Sequence, residues 1–131
     1  MIFSNAEIYN IAVKAGVFYK DKSTHFPVKP GFYLYKNLRM FTEAAQDIDE
    51  AKRNIVNQYS ATPEDEEYYT IAKDDQIAVQ KELTELSKLT QDIPLYPLKL
   101  EDFEDTKLTG EQLEILTSMI EIPKEIEEEE E

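Results

Sequence analysis

The chain has 131 residues, of which 41% are hydrophobic, and a formal net charge of −14. This length and composition are sufficient for one domain with its own hydrophobic core. With no cysteine and only one histidine, His25, the chain excludes disulfides, cysteine nucleophiles, and thiolate or two-histidine metal sites within one copy.

The first predicted element is a short helix over residues 4–16. Ser4 and Glu7 have the spacing of a capping box, in which each side chain binds a free backbone amide at the start of a helix. Ile8 and Ile11 then follow at the spacing of one helical face. Gly16 is placed to end the helix.

A long helix over about residues 31–59 is the clearest periodic signal. Pro27 and Pro30 predict a loop or short extended stretch before it. Its apolar stripe steps by threes and fours, and Lys52 interrupts it. The stripe consists of Leu34, Leu38, Phe41, Ala45, Ile48, Ile55 and Tyr59. Such a helix is about 44 Å long, which exceeds the radius of gyration of about 14 Å expected for a compact domain of this size. A second helix of the chain, or another subunit, must therefore cover its far end.

A second helix beginning at Asp74 or Asp75 can provide that cover as an antiparallel hairpin. Its predicted apolar face consists of Ile77, Val79, Leu83, Leu86 and Leu89. The connection between the helices contains Tyr68–Ile71, whose aromatic and β-branched residues suit a short strand. Residues 92–100 are the predicted partner strand, which two prolines confine to an edge.

A capping box at Thr109 and Gln112 predicts a last short helix. Leu113, Leu116 and Ile120 form its apolar face, and the helix ends before Pro123. The predicted fold class is therefore mainly α (α+β): a long antiparallel helical hairpin with short N- and C-terminal helices and a small β element. Residues 1–123 are expected to form a single, mostly helical domain, and residues 124–131 a disordered acidic tail.

The residue inventory argues against catalysis. The three glycines, at positions 16, 31 and 110, are too far apart for a phosphate-binding loop, and the acidic clusters lack the spacing of a calcium loop. We expect a protein that is not an enzyme and holds no metal or cofactor. The chain has neither a secretory signal pattern nor an apolar run long enough to cross a bilayer. These features predict a soluble, intracellular protein.

A basic and aromatic segment is the best candidate interface. Val13–Met40 carries six cationic side chains and one acid, a local net charge of +5, whereas residues 62–131 have six lysines and 22 acids. The candidate partner-binding residues are Lys20, Lys22, Phe26, Tyr33, Lys36 and Arg39. Cations interleaved with rings suit a nucleic-acid strand or an acidic peptide, including the acidic residues 62–131 of a neighbouring copy. Alternatively, the rings pack in the hydrophobic core, and the lysine ammonium groups simply remain in solvent. Direct nucleic-acid binding is not expected, because the acidic half repels polyanions.

The order of segments resembles a family of small acidic proteins of unknown function from tailed phages and prophages of Gram-positive bacteria. The matching stretches are FSNAEIYNIA (3–12), FPVKPGFYLYKNLRMFTEAAQDIDEAKRNIV (26–56), EYYTIAKDDQIAVQKELTEL (67–86) and LTGEQLEILTSMI (108–120). The resemblance implies a phage protein made in the bacterial host cytoplasm, and association with the virion stays open. It carries no active residues over to this chain.

Two functions remain open. The first is a structural or assembly role in a phage, in which the long helix and the acidic half make protein–protein contacts, including contacts between copies of the chain. The second is an acidic inhibitor that imitates nucleic acid and binds a host defence protein or a nucleic-acid-binding protein.

Overall fold

The computed structural model describes residues 1–21, 23–59 and 73–120. In chain order the elements are β1 (Ile2–Ser4), α1 (Asn5–Lys14), α2 (Gly16–Tyr19), α3 (Val28–Tyr59), α4 (Lys73–Lys88), β2 (Thr90–Asp92), a short 3₁₀ helix (Leu100–Phe103) and α5 (Gly110–Ser118). The mainly helical fold class, with a long hairpin and a small β element, is confirmed. The predicted acidic tail at 124–131 lies outside the described residues.

Helix α1 begins as its capping box predicts. The Glu7 amide donates to Ser4 Oγ at 3.1 Å, and the Ser4 amide donates to Glu7 Oε1 at 3.0 Å. Helix α1 ends at Lys14, close to the predicted end at Gly16, but Gly16 does not end it through a left-handed conformation. No glycine adopts a positive φ, and Ala15 keeps a right-handed helical conformation, so the chain passes directly into α2.

Helix α3 begins at Val28, three residues before the predicted start. Pro30 is tolerated because the first turn of a helix has no internal partner for its amides. Gly31 permits close packing here, since a Cβ at this position would lie 3.0 Å from Phe26 Cβ. The predicted stripe is buried from Leu34 to Ile48 and half-buried at Ile55 and Tyr59; the buried members are Leu34, Leu38, Phe41, Ala45 and Ile48.

Helix α4 forms the second arm of the hairpin and packs against both α3 and α1. Of its predicted apolar face, Val79 is buried, whereas Ile77 is 81% exposed and Leu89 is 59% exposed. The predicted face is therefore too wide, since Leu83 and Leu86 are half-buried and only Val79 is fully covered. Lys52, which interrupts the stripe of α3, places its Nζ 3.9 Å from the centre of the Tyr9 ring in α1.

The small sheet differs from the predicted one. Strand β1 pairs antiparallel with β2, with Ile2 opposite Asp92, Phe3 opposite Gln91 and Ser4 opposite Thr90. Residues 92–100 were predicted to pair with Tyr68–Ile71, a segment that lies outside the described residues. Strand β2 ends two residues before Pro94, since proline has no amide to donate to a ladder.

The core lies where α1, α2, α5 and the segment after β2 meet the first half of α3. It consists of Phe3, Ile8, Ile11, Ala15, Phe18, Leu34, Leu38, Phe41, Ile48, Ile93, Leu98, Phe103, Ile115, Leu116 and Met119. The capping box of α5 is confirmed, but its predicted face is partly wrong. Leu113 is 46% exposed, whereas Gln112 is 1% exposed and turned inward.

Candidate protein interface

The structure does not bring the five candidate residues that it describes into one site. Lys20 is exposed at the end of α2, and Lys22 lies outside the described residues. Phe26 belongs to the loop before α3, where it is half-buried. The other three lie on α3: Tyr33 is half-buried, Lys36 is partly exposed and Arg39 is exposed.

Phe26 is a packing residue rather than a surface residue. Its ring centre lies 6.2 Å from that of Phe18 and 6.3 Å from those of Tyr35 and Phe103. These are ordinary distances for rings that pack edge to face or tilted. For Phe26, the structure agrees with the alternative interpretation that the rings seal the core.

Tyr33 stacks on Tyr96, with ring centres 4.9 Å apart and an interplanar angle of 23°. Tyr96 is held in place by Asn37, which is fully buried in α3. Asn37 Nδ2 donates to the Tyr96 carbonyl at 3.1 Å, and the Tyr96 amide donates to Asn37 Oδ1 at 2.8 Å. The sequence analysis missed this pair, whose only signal was a polar residue beside the apolar stripe.

The outward side of the first half of α3 combines exposed apolar and cationic groups. Val28 is 89% exposed and Phe32 is 57% exposed. Lys36 Nζ lies 5.7 Å from the centre of the Phe32 ring, and Lys29 Nζ lies 5.7 Å from that of Tyr33. We call this surface the basic-aromatic face; it consists of Val28, Lys29, Phe32, Tyr33, Lys36 and Arg39.

Asp102 borders the N-terminal part of the basic-aromatic face, where it lines a cleft together with Lys29 and Tyr33. The sequence contains no acid between Asp21 and Glu43. Glu43 lies at the C-terminal end of the face, and its Oε1 accepts a hydrogen bond from Arg39 Nε at 3.0 Å. Both side chains of this pair are exposed, so the pair adds little stability. Arg39 therefore remains available to exchange Glu43 for another carboxylate.

Asp21 organises the loop before α3. Its Oδ1 accepts hydrogen bonds from the amides of Ser23 and Thr24 at 2.9 and 3.0 Å, and its Oδ2 accepts one from Gln112 Nε2 at 2.9 Å. Gln112 also donates to the Val17 carbonyl at 3.1 Å, which ties α5 to α2. Hydrogen bonds from Thr24, Gln112 and Ser23 hold the pKa of Asp21 well below its usual range.

Replacing Asp21 with asparagine should lower the melting temperature at pH 7. Because the folded-state pKa of Asp21 lies below the ordinary value of 3.8, its carboxylate stabilises the fold above about pH 4, and this contribution is lost as the pH falls further. The difference between parent and Asp21→Asn should therefore shrink between pH 5 and about pH 2. Thermal melts at several pH values measure it. Asp105→Asn, at an exposed turn, is the control that should not change the pH dependence.

Two tyrosines, Tyr35 and Tyr59, have pKa values raised above the ordinary value of a tyrosine hydroxyl. Burial raises the pKa of Tyr35, with further contributions from the charges of Asp21 and Tyr19. A hydrogen bond to Glu82 raises the pKa of Tyr59, which links the end of α3 to α4. Both hydroxyls therefore stay neutral at physiological pH.

Within residues 1–21, 23–59 and 73–120, no three acidic or histidine side chains are grouped so that they could hold a metal ion. In the same part of the chain, no helix has the length and apolar character needed to cross a membrane. No protein-family model, curated protein or solved structure matches the chain.

Proposed function

We propose that this protein is not an enzyme and works by binding another protein through the basic-aromatic face, in a structural or assembly role in a phage. One observation carries the proposal. Val28 and Phe32 are exposed on α3 beside Lys29 and Lys36, in a protein whose net charge is otherwise strongly negative.

The chemistry of the face suits an acidic protein surface. Exposed rings supply apolar contact area and are enriched at the centres of interfaces. The surrounding cations favour an acidic partner and accelerate the encounter with it. The protein as a whole carries a net charge of −14, which disfavours a long polyanion such as nucleic acid.

The phage setting rests on the sequence resemblance described above. Under that resemblance, the partner is a protein of the particle or of an assembly intermediate in the bacterial host cytoplasm. An acidic surface on such a partner would contact the rings and lysines of α3. This role is binding and requires no catalysis.

Capture from lysates of phage-infected cells tests the proposal, with two variants matched in chemistry. Phe32→Ala with Lys36→Glu alters the basic-aromatic face. Ile77→Ala with Lys81→Glu makes the same kinds of change on the exposed side of α4. We expect a phage structural protein to be captured by the parent and by the α4 variant, and to be lost with the α3 variant. Equal capture by all three proteins would contradict the proposal.

The acidic inhibitor is the alternative, and one observation favours it. Residues 73–120 contain eleven acidic side chains and five lysines, so part of the acidic half is carried by α4, α5 and their connection. Under this alternative, the captured partner is a basic host protein that binds nucleic acid. Duplex DNA should displace that partner, and the Phe32→Ala, Lys36→Glu variant should still bind it.

A further inference from the structure

The outward side of α3 changes its sign of charge halfway along the helix. Lys29, Lys36 and Arg39 occupy the first half, and Glu43, Asp47 and Glu50 occupy the second half. Steps of three, four and seven residues keep these six side chains on one side of a helix. All are exposed except Lys36, which is partly exposed. We call these six residues the outer stripe.

We propose that two copies of the chain associate through the outer stripe, with their α3 helices antiparallel about a two-fold axis between Arg39 and Glu43. This proposal rests on the proposed function, because it uses the same basic-aromatic face and names a second copy as its partner. Antiparallel pairing places Lys36 of each copy opposite Gln46 and Asp47 of the other, and Lys29 opposite the turn that carries Glu50 and Arg53. The symmetry produces every such contact twice.

Charge complementarity identifies the occupant as a second copy. A two-fold interface uses the same patch on both subunits, so that patch must complement itself. The outer stripe complements itself only when the two helices are antiparallel. In a parallel pair, each lysine would face a lysine and each acid would face an acid. The stripe extends about 32 Å from Lys29 to Glu50, and the opposite side of α3 is already occupied by the core and α4.

Charge-reversed variants test the pairing. One variant carries Lys29→Glu with Lys36→Glu, and the other carries Asp47→Lys with Glu50→Lys. Each alone should weaken dimerisation in sedimentation experiments by about tenfold or more, since the exposed attractions become repulsions. An equimolar mixture of the two should form heterodimers about as stable as the parent dimer, because every contact again joins opposite charges.

A control separates local pairing from the change in total charge. Lys73→Glu with Lys81→Glu makes the same change in net charge on α4, where both lysines are exposed. That variant should dimerise like the parent. Circular dichroism melts of all the variants confirm that each is folded.

Spin labels test the antiparallel geometry, and the absence of cysteine from the chain makes single-site labelling direct. A label at Thr42→Cys, near the proposed axis, should give an interlabel distance below about 25 Å. A label at Gln58→Cys should give about 50 Å, twice the rise of the 16 or 17 residues between it and the axis. A parallel pair would give short distances at both positions.

The proposal is overturned if the parent stays monomeric up to millimolar concentration, if the mixed variants associate no better than each alone, or if both labels give short distances. These outcomes separate it from the proposed function. If the parent is monomeric but its captured phage partner still requires Phe32 and Lys36, only the self-association is wrong. If the dimer forms as described but capture is insensitive to those residues, only the binding role is wrong.

Discussion

Phe41→Ala should lower the free energy of unfolding by about 3–5 kcal/mol, as expected for a large buried ring replaced by alanine. Phe41 is fully buried in the stripe of α3, and its ring lies edge-on to that of Phe3 with centres 5.0 Å apart. The substitution removes this contact and leaves a cavity between α3 and β1. Urea denaturation monitored by circular dichroism measures the change.

Phe32→Ala is the matched control, because it makes the same substitution on the same helix at a side chain that is 57% exposed. It should change the free energy of unfolding by less than about 1 kcal/mol. If both substitutions had equal effects, α3 would not pack with the orientation described here.

Ala45→Glu should destabilise the protein by about 4 kcal/mol or more, the range expected when a charge is forced into a packed apolar site. Ala45 is 7% exposed and lies between Phe41 and Ile48 on the buried stripe. A glutamate there must remain charged among apolar side chains, or become neutral, or push α3 away from its neighbours. Thermal and urea denaturation both report this loss.

The neighbouring residue supplies the control for that charge. Gln46→Glu adds the same carboxylate one position along the helix, where the side chain is exposed. It should leave the melting temperature within a few degrees of the parent's. A parent-like melting temperature for Ala45→Glu would show that the stripe is not part of a core.

The sequence predicts the local features of the fold well. Capping boxes act within four residues, so Ser4 with Glu7 and Thr109 with Gln112 could be identified directly. The spacing of Leu34, Leu38 and Phe41 identifies the buried side of α3 because that side contacts several elements at once. The face of α4 was harder to predict, because α4 contacts little besides α3 and α1 and its other sides have no packing constraint.

Features that depend on distant partners could not be predicted in this way. Strand β1 is only three residues long and finds its partner about ninety residues away. Gln112 resembles an ordinary capping residue, but its amide also reaches Asp21 and Val17 across the interior. In the candidate site, Phe26 and Phe32 are both aromatic residues of the same basic and aromatic segment. Only the packing shows that one is covered and the other exposed.

The pairing of the N-terminal strand with residues 86–92 has a consequence for folding kinetics. Beside the pairing of β1 with β2, Asn5 donates to the Leu86 carbonyl, 81 residues away, and accepts from Gln91 Nε2, 86 residues away. The loss of chain entropy makes closing a loop of that length about 2 kcal/mol less favourable in free energy than closing a ten-residue loop. The α3–α4 hairpin can form through nearer contacts, so we expect it to precede the docking of β1. Capture of the N-terminal strand would then be a late step and would limit the folding rate.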